Sequence, residues 1–335
     1  MNFRSLFPTC ALALGLAIAG CAPSPDPTAT EPLTIGYSNW AGWWPWAIAE
    51  QEGLFEANGA HVELRWFDGY LASMEAFAAG QLDGNTQTLN DTISFVADSV
   101  NGQVVVLVND NSAGNDKIIV AEGIDTIEDL LGKRVAVEEG VVDDFLLTLG
   151  LEEAGYSRDD VEIMPLETGA AAAAFAAGRV DAVGAFPPFW LTALEREGSR
   201  ELFSSADFPG AIPDLLVVSQ TVIDEQPEQV QALVNTWFDI LEFMQENPER
   251  ADEIMAARAG VSPEELQLFK EGTRFFTLED NLEAFSEGDS FASMPYAAVE
   301  MAAFMVGMGF IPEAPDLSTL FDRRFVDAYA ASLAE

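Results

Sequence analysis

The chain has 335 residues, of which 15 are Lys or Arg and 56 are Asp or Glu, giving a formal charge of −41. That balance argues against nucleic-acid binding, which needs cations at phosphates, and against docking on anionic lipid through a basic face. With 49% hydrophobic and 10% aromatic residues the chain is no acidic disordered tail, and its length suits about two domains.

In chain order, Arg4 precedes an apolar run at 6–18 that is too short to cross a bilayer, which needs about 20 residues. The run ends in Ile18-Ala19-Gly20-Cys21. These residues resemble a bacterial lipobox, which implies a signal segment at 1–20 and a lipid on Cys21; an ordinary signal segment with an incidental cysteine is the alternative. The other cysteine, Cys10, lies in the segment to be removed, so the exported chain is expected to lack disulfides, thiol ligands and thiol nucleophiles. Residues 21–32, rich in Pro, Ser and Thr, read as a stiff linker.

The body then alternates. Strands are predicted at 33–37, 62–67, 104–108, 117–121, 134–137 and 161–165, with Val62, Leu64 and Trp66 on one face. Helices are predicted at 45–55, 71–79, 145–154 and 170–177, with stops at or near Gly53, Gly80, Gly155 and Gly178. From 227 onward the chain reads as helices at 227–247, 248–259, 263–271, 279–285 and 295–308. This order predicts an α/β fold with largely parallel sheets. An internal echo organises it: residues 76–83 and 174–181 share the pattern A-F-A-A-G-x-φ-D, where φ is apolar. The Gly and Asp after each helix favour two related lobes over a chance likeness of Ala-rich helices.

Six pieces in order carry a wider likeness: Ile35-Gly36-Tyr37, Glu52-Gly53-Leu54-Phe55, Ala78-Ala79-Gly80-Gln81-Leu82-Asp83, the run 130–137, Ala154-Gly155-Tyr156, and the run 177–182. With them the chain resembles the solute-binding proteins of ABC importers for nitrate, sulfonates, taurine and thiamine-precursor pyrimidines. The resemblance implies a two-lobed periplasmic-binding-protein fold (type II, Venus-flytrap) that closes on a ligand in the cleft. Lobe 1 is expected at 33–114 and 217–335, lobe 2 at 115–216, and hinges at 109–116 and near Ser219. It implies an exported monomer, lipid-anchored through Cys21 and facing the periplasm or cell exterior. Its partners are a small solute and an ABC permease and ATPase, with no nucleic acid and no cofactor. A sensory binding protein and an enzyme on the same fold are the other readings.

Ligands of α/β sheets sit beyond the carboxyl ends of strands. That rule selects Ser38, Asn39, Trp40, Trp43 and Trp44 after the first strand, Asp68 after the second, and Thr86, Gln87 and Asp91 further on. It adds Asp110 and Asn111 at the crossover, and Glu138, Phe186 and Trp190 in lobe 2. Five of the seven tryptophans fall within 33–113, a segment with ten acidic residues and one basic, Arg65. Trp46 and Trp66 are assigned to the core. A sulfonate or nitrate pocket calls for Arg, Lys or helix-start amides. Aromatic faces with carboxylates suit a nitrogenous solute that is cationic or rich in N–H, such as a guanidine, amine or pyrimidine. The plainer account of Asp68, Asp91 and Asp110 is turn and helix capping, and taurine, alkanesulfonate or nitrate are the alternative solutes. Catalysis lacks parts: His61 is the single histidine, expected on the surface, and no metal site is predicted. The pairs Asp143-Asp144 and Asp159-Asp160 read as solvated helix starts.

Overall fold

A computed structural model describes residues 31–334; the signal segment 1–20, Cys21 and the linker up to residue 30 lie outside the described residues. In chain order the first half holds β1 (Leu33–Tyr37), α1 (Trp46–Glu52), α2 (Leu54–Ala57), β2 (Val62–Trp66), α3 (Tyr70–Ala78), β3 (Gly84–Thr88), α4 (Leu89–Phe95) and β4 (Val104–Ser112). Next come β5 (Lys117–Val120), β6 (Arg134–Val137), α5 (Val142–Glu153), β7 (Glu162–Pro165), α6 (Thr168–Ala176), β8 (Ala182–Ala185), α7 (Phe189–Leu194) and β9 (Arg200–Ser204). The remainder is β10 (Pro213–Val218), α8 (Gln220–Glu225), α9 (Pro227–Glu246), α10 (Pro248–Ala259), α11 (Pro263–Glu271), β11 (Thr273–Phe275), α12 (Leu278–Ala284), α13 (Met294–Gly307) and α14 (Arg324–Ser332).

The strands form two sheets, β11-β4-β10-β3-β1-β2 and β7-β6-β8-β5-β9. Within each, a parallel trio sits at one side: β3-β1-β2 in the first and β8-β6-β7 in the second. The internal echo is this trio. Gly80 and Gly178 both end their helices at φ +72°. Asp83 and Asp181 then accept the backbone N–H of Thr34 and Arg134, at 2.8 and 3.0 Å. The repeated Asp thus caps the central strand of its own parallel trio, and the pattern is architectural.

The run Val104–Val108 is apolar throughout because β4 lies inside its sheet, with β10 and β11 on either side. The strand also runs on to Ser112, beyond its apolar part. Helices α9, α10 and α14 pack on the first lobe, where Trp46 lies 5.0 Å from Trp237 and 6.2 Å from Phe55, centroid to centroid. Phe304 of α13 meets Phe145 of α5, so the C-terminal helices also touch the second lobe.

Three expectations differ from the structure. The lobe boundary between 216 and 217 falls inside β10, which pairs with β3 and β4 along its whole length and so belongs to the first sheet. The return hinge is correspondingly not near Ser219, whose hydroxyl caps α8 by accepting from Val222 N–H at 3.2 Å. The chain passes between sheets at 113–116 and 205–212, tied together by Ser112 and Ser205 hydroxyls 2.6 Å apart. Asp143 and Asp144 do start a helix, but both are buried rather than solvated, for reasons given below.

Candidate ligand-binding site

The loop after β1 winds directly into α1 through turns: Trp43 N–H and Trp44 N–H both donate to the Trp40 carbonyl, at 3.0 and 3.2 Å. Gly42 is required inside it. A Cβ there would sit 1.7 Å from Asp110 Oδ2, so the loop backbone lies directly on the Asp110 carboxyl. Trp40 Nε1 donates to Asp110 Oδ1 at 2.9 Å.

Asp110 reaches this position through a bulge. In the β4–β10 pairing Asp214 lies opposite Asp110 and Leu215 opposite Val108, leaving Asn109 without a counterpart. The extra residue reverses the alternation, so Asp110 shares a face with Asp214 while Val108 takes the other. Both aspartates are at most 1% exposed, and Oδ2 of each lacks a partner.

Around this pair lies a small cavity between the lobes. Asn39, Trp40, Trp43, Tyr70 and Thr88 line it from the first lobe, joined by Asp214; Asp116 comes from the crossover, and Val142 and Phe186 from the second lobe. Its free volume is about 10 Å³, room for about one water molecule. Its aromatic wall is continuous across the lobes: Trp40 to Trp43 at 6.3 Å, Trp43 to Tyr70 at 5.5 Å and Tyr70 to Phe186 at 6.4 Å. Among the described residues no Arg or Lys lines it.

The carboxyls here are of two kinds. Asp91 is saturated: it accepts from the Tyr70 hydroxyl at 2.8 Å, the Thr88 hydroxyl at 2.7 Å and Asn90 Nδ2 at 2.7 Å. It thereby fixes the Tyr70 ring as a wall. Asp116, like Asp110 and Asp214, keeps an oxygen without a partner. Burial is the main cause of the shifts that follow, since it removes the water that solvates the anion. Asp110 is pushed up to about 8, and Asp91 and Asp116 to about 7. Asp214 is raised well above the usual range by burial and then by its neighbour Asp110.

Glu138 joins the lobes. From the end of β6 it accepts Thr168 Oγ1 at 3.0 Å in its own lobe and the Leu71 N–H at the start of α3 at 3.4 Å in the other. Asp143 accepts the Glu138 N–H at 3.1 Å, which explains its burial, and its other oxygen is unpartnered. Burial raises both carboxyls.

Of the residues singled out in the sequence, Asn39, Trp40, Trp43 and Phe186 line the cavity, Asp110 backs it, and Asp91 and Glu138 position its walls. Ser38, Thr86 and Gln87 are buried nearby; Gln87 spends its amide on Thr92 and Gln103. Trp44 and Trp190 instead pack on Phe269 of α11, at 5.7 and 5.2 Å. Asp68 is exposed and accepts from Trp66 Nε1 at 3.0 Å, a local contact of the kind the plainer account expects. Asn111 turns to a separate, larger groove beside Ser205, Arg274 and Phe276, where Arg274 is already paired with Asp280 at 2.6 Å. Tyr70 and Thr88 lie in the loops that the strand-end rule selects; sequence reasoning missed Asp116, Val142, Asp143 and above all Asp214. The signal for Asp214 was a carboxylate opening the apolar run Leu215–Val218, a strand that was not predicted.

Comparison with known proteins adds the following. The model of the NMT1-like family matches residues 26–259. A putative binding protein of Brucella abortus is 28% identical over 282 residues, 83% of this chain and 86% of its own length. The taurine-binding periplasmic protein of Escherichia coli is 26% identical over 306 residues, covering 88% and 92%. Among solved structures, the alkanesulfonate-binding protein SsuA of Xanthomonas axonopodis pv. citri, bound to MOPS, superposes with a TM-score of 0.72 at 19% identity, covering 88% of this chain and all of that one.

Proposed function

The chain belongs to the NMT1-like family, and on that footing we propose that it is an exported solute-binding protein of an ABC importer whose solute is a small organic cation or N–H-rich molecule, guanidinium-like in chemistry and admitted when the lobes part. Capture is by closure of the lobes, and delivery is to a membrane permease; a lipid on Cys21 would keep the protein at the membrane. The relatives' names, which are those of binding proteins, support the receptor role over an enzymatic one.

The observation that carries the solute class is the surplus of acceptors. Asp116 and Asp214 line the cavity and Asp110 backs it; each keeps an unpartnered carboxyl oxygen, and among the described residues no cationic side chain lines the space. A solute with several N–H groups and a flat face would satisfy them while resting against Trp43, Tyr70 and Phe186.

The same geometry speaks against a sulfonate or nitrate. Anions are held by Arg, Lys or free helix-start amides. Here the start of α3 is occupied by Glu138, that of α4 by Asp91, and that of α5 by Asp143 and Asp144. An anion would meet carboxylates at each of these three places.

The test is a thermal-shift screen of the purified chain with guanidine, urea, choline, small amines, pyrimidines, taurine, alkanesulfonates and nitrate. A solute bound only by the folded state raises the melting temperature by mass action. Shifts confined to nitrogenous solutes are expected; a shift with taurine or nitrate and none with cations overturns the reading.

A further inference from the structure

The site has a charge problem that its own residues do not solve. Asp110 of β4 and Asp214 of β10 stand directly opposite one another, and their side chains are within hydrogen-bonding reach. The groups facing them are Trp40 from the loop after β1, Tyr70 of α3, Asp91 of α4, Asp116 from the crossover, and the Phe186 ring from the second lobe. The nearest cation in sequence, Lys117, is committed elsewhere: its ammonium lies 2.5 Å from Glu201 and over the Trp190 ring. Two carboxylates this close, out of water and without a counter-charge, cannot both be ionised. The pair therefore carries a proton when no solute is bound.

Trp43 adds an unspent donor beside the free oxygens of Asp116 and Asp214 that line the cavity. Its ring is 2% exposed and lines the cavity, yet its Nε1–H has no partner. Resting on the cationic-solute reading, we propose that binding at Asp110 and Asp214 is an exchange of a proton for the solute cation, which makes this a pH-linked receptor. On binding, the O–H bond of the shared carboxyl breaks, the proton leaves to water, and the freed carboxylate pairs with the cation. The charge inside the site is unchanged by the swap. Burial holds Asp110 near 8, which places the exchange within the ordinary range of environmental pH. A neutral donor such as urea has no charge to offer and would leave the proton in place.

Titration calorimetry of the full chain tests this, with guanidinium chloride at millimolar concentration, well below denaturing levels. At pH 6 the titration is run in two buffers, one of low and one of high ionisation enthalpy. The expected result is a difference in apparent enthalpy equal to about one proton released per solute, with affinity falling about tenfold per pH unit below the titration of the pair. Asp214→Asn is expected to bind more weakly and to release no proton. Saturable binding with identical enthalpies in both buffers overturns the exchange and leaves the solute reading intact. Proton release that persists in Asp214→Asn also overturns it. No guanidinium binding at any pH overturns both the exchange and the solute reading.

Discussion

Two corners of this molecule each bury aspartate completely, and they treat it in opposite ways. At the start of α5, Asp144 receives Arg158 through Nε at 2.8 Å and Nη2 at 2.9 Å, and the Gly140 N–H at 2.9 Å. Beneath the Trp40 loop, Asp110 and Asp214 are buried as deeply and face one another, an indole and further acids, with no cation among them. The first arrangement is a finished structural joint. The second is stable only with a proton or a visitor, and this difference distinguishes a cap from a binding group in a chain full of acid residues.

Substitutions at the two corners should therefore separate cleanly. The largest effect is expected from Asp214→Asn, which keeps shape and removes charge. Cation affinity should drop by roughly 2–5 kcal/mol, about thirty-fold or more, with little loss of melting temperature. Arg158→Ala should do the reverse, leaving solute affinity unchanged while costing about 3 kcal/mol in denaturant unfolding, because Asp144 is left buried and bare. If the first destabilises and the second abolishes binding, the assignment of the two corners is inverted.

The pH dependence of stability sharpens the same contrast. Asp91, Asp110 and Asp116 have folded-state values of about 7, 8 and 7, above the ordinary carboxylate value near 4. A raised value means that the stability is present below about pH 4 and is lost as pH climbs through 7 to 8. The empty chain should melt at a higher temperature at pH 5 than at pH 8.5, by an amount worth about 2 kcal/mol or more. Repulsion among the many surface acids acts in the same direction, so the informative comparison is Asp214→Asn, in which the slope should flatten.

Smaller effects fall on the walls. Trp43→Ala should weaken binding by about 1–2 kcal/mol, the scale of a desolvated cation–π contact, measurable by the same titration. Glu138→Gln should cost only a few-fold in affinity, since the amide oxygen can still accept from Leu71 N–H while the amide NH2 donates to the Thr168 hydroxyl, which can accept in turn. An Asp214→Asn chain with full affinity would remove Asp214 from the site; an unaffected Trp43→Ala chain would remove the aromatic wall.

How much of this was legible in the sequence depends on how local the cause is. Strands β1, β2, β6 and β7 of the parallel trios, their glycine stops and the five C-terminal helices follow from periodicity and caps, which are properties of neighbouring residues, and each lies within a residue or two of its expected bounds. The tryptophans could be read as a cluster, but not sorted: Trp43 lines the cavity and Trp44 packs on Phe269 because consecutive residues of a turn point to different sides. Asp214 was legible only as a carboxylate opening an apolar run. Its role comes from pairing with Asp110, more than a hundred residues earlier, and from a bulge at Asn109 that no local pattern announces. Asp144 misled for the same reason, its burial being set by Arg158 on the far side of α5.

The most direct measurement is a pair of calorimetric titrations at pH 8 on the same preparation of the chain, one with guanidinium and one with taurine. The account predicts saturable binding of guanidinium and none of taurine, because the cavity offers oxygens and no cation. Saturable taurine binding beside a flat guanidinium trace would contradict it.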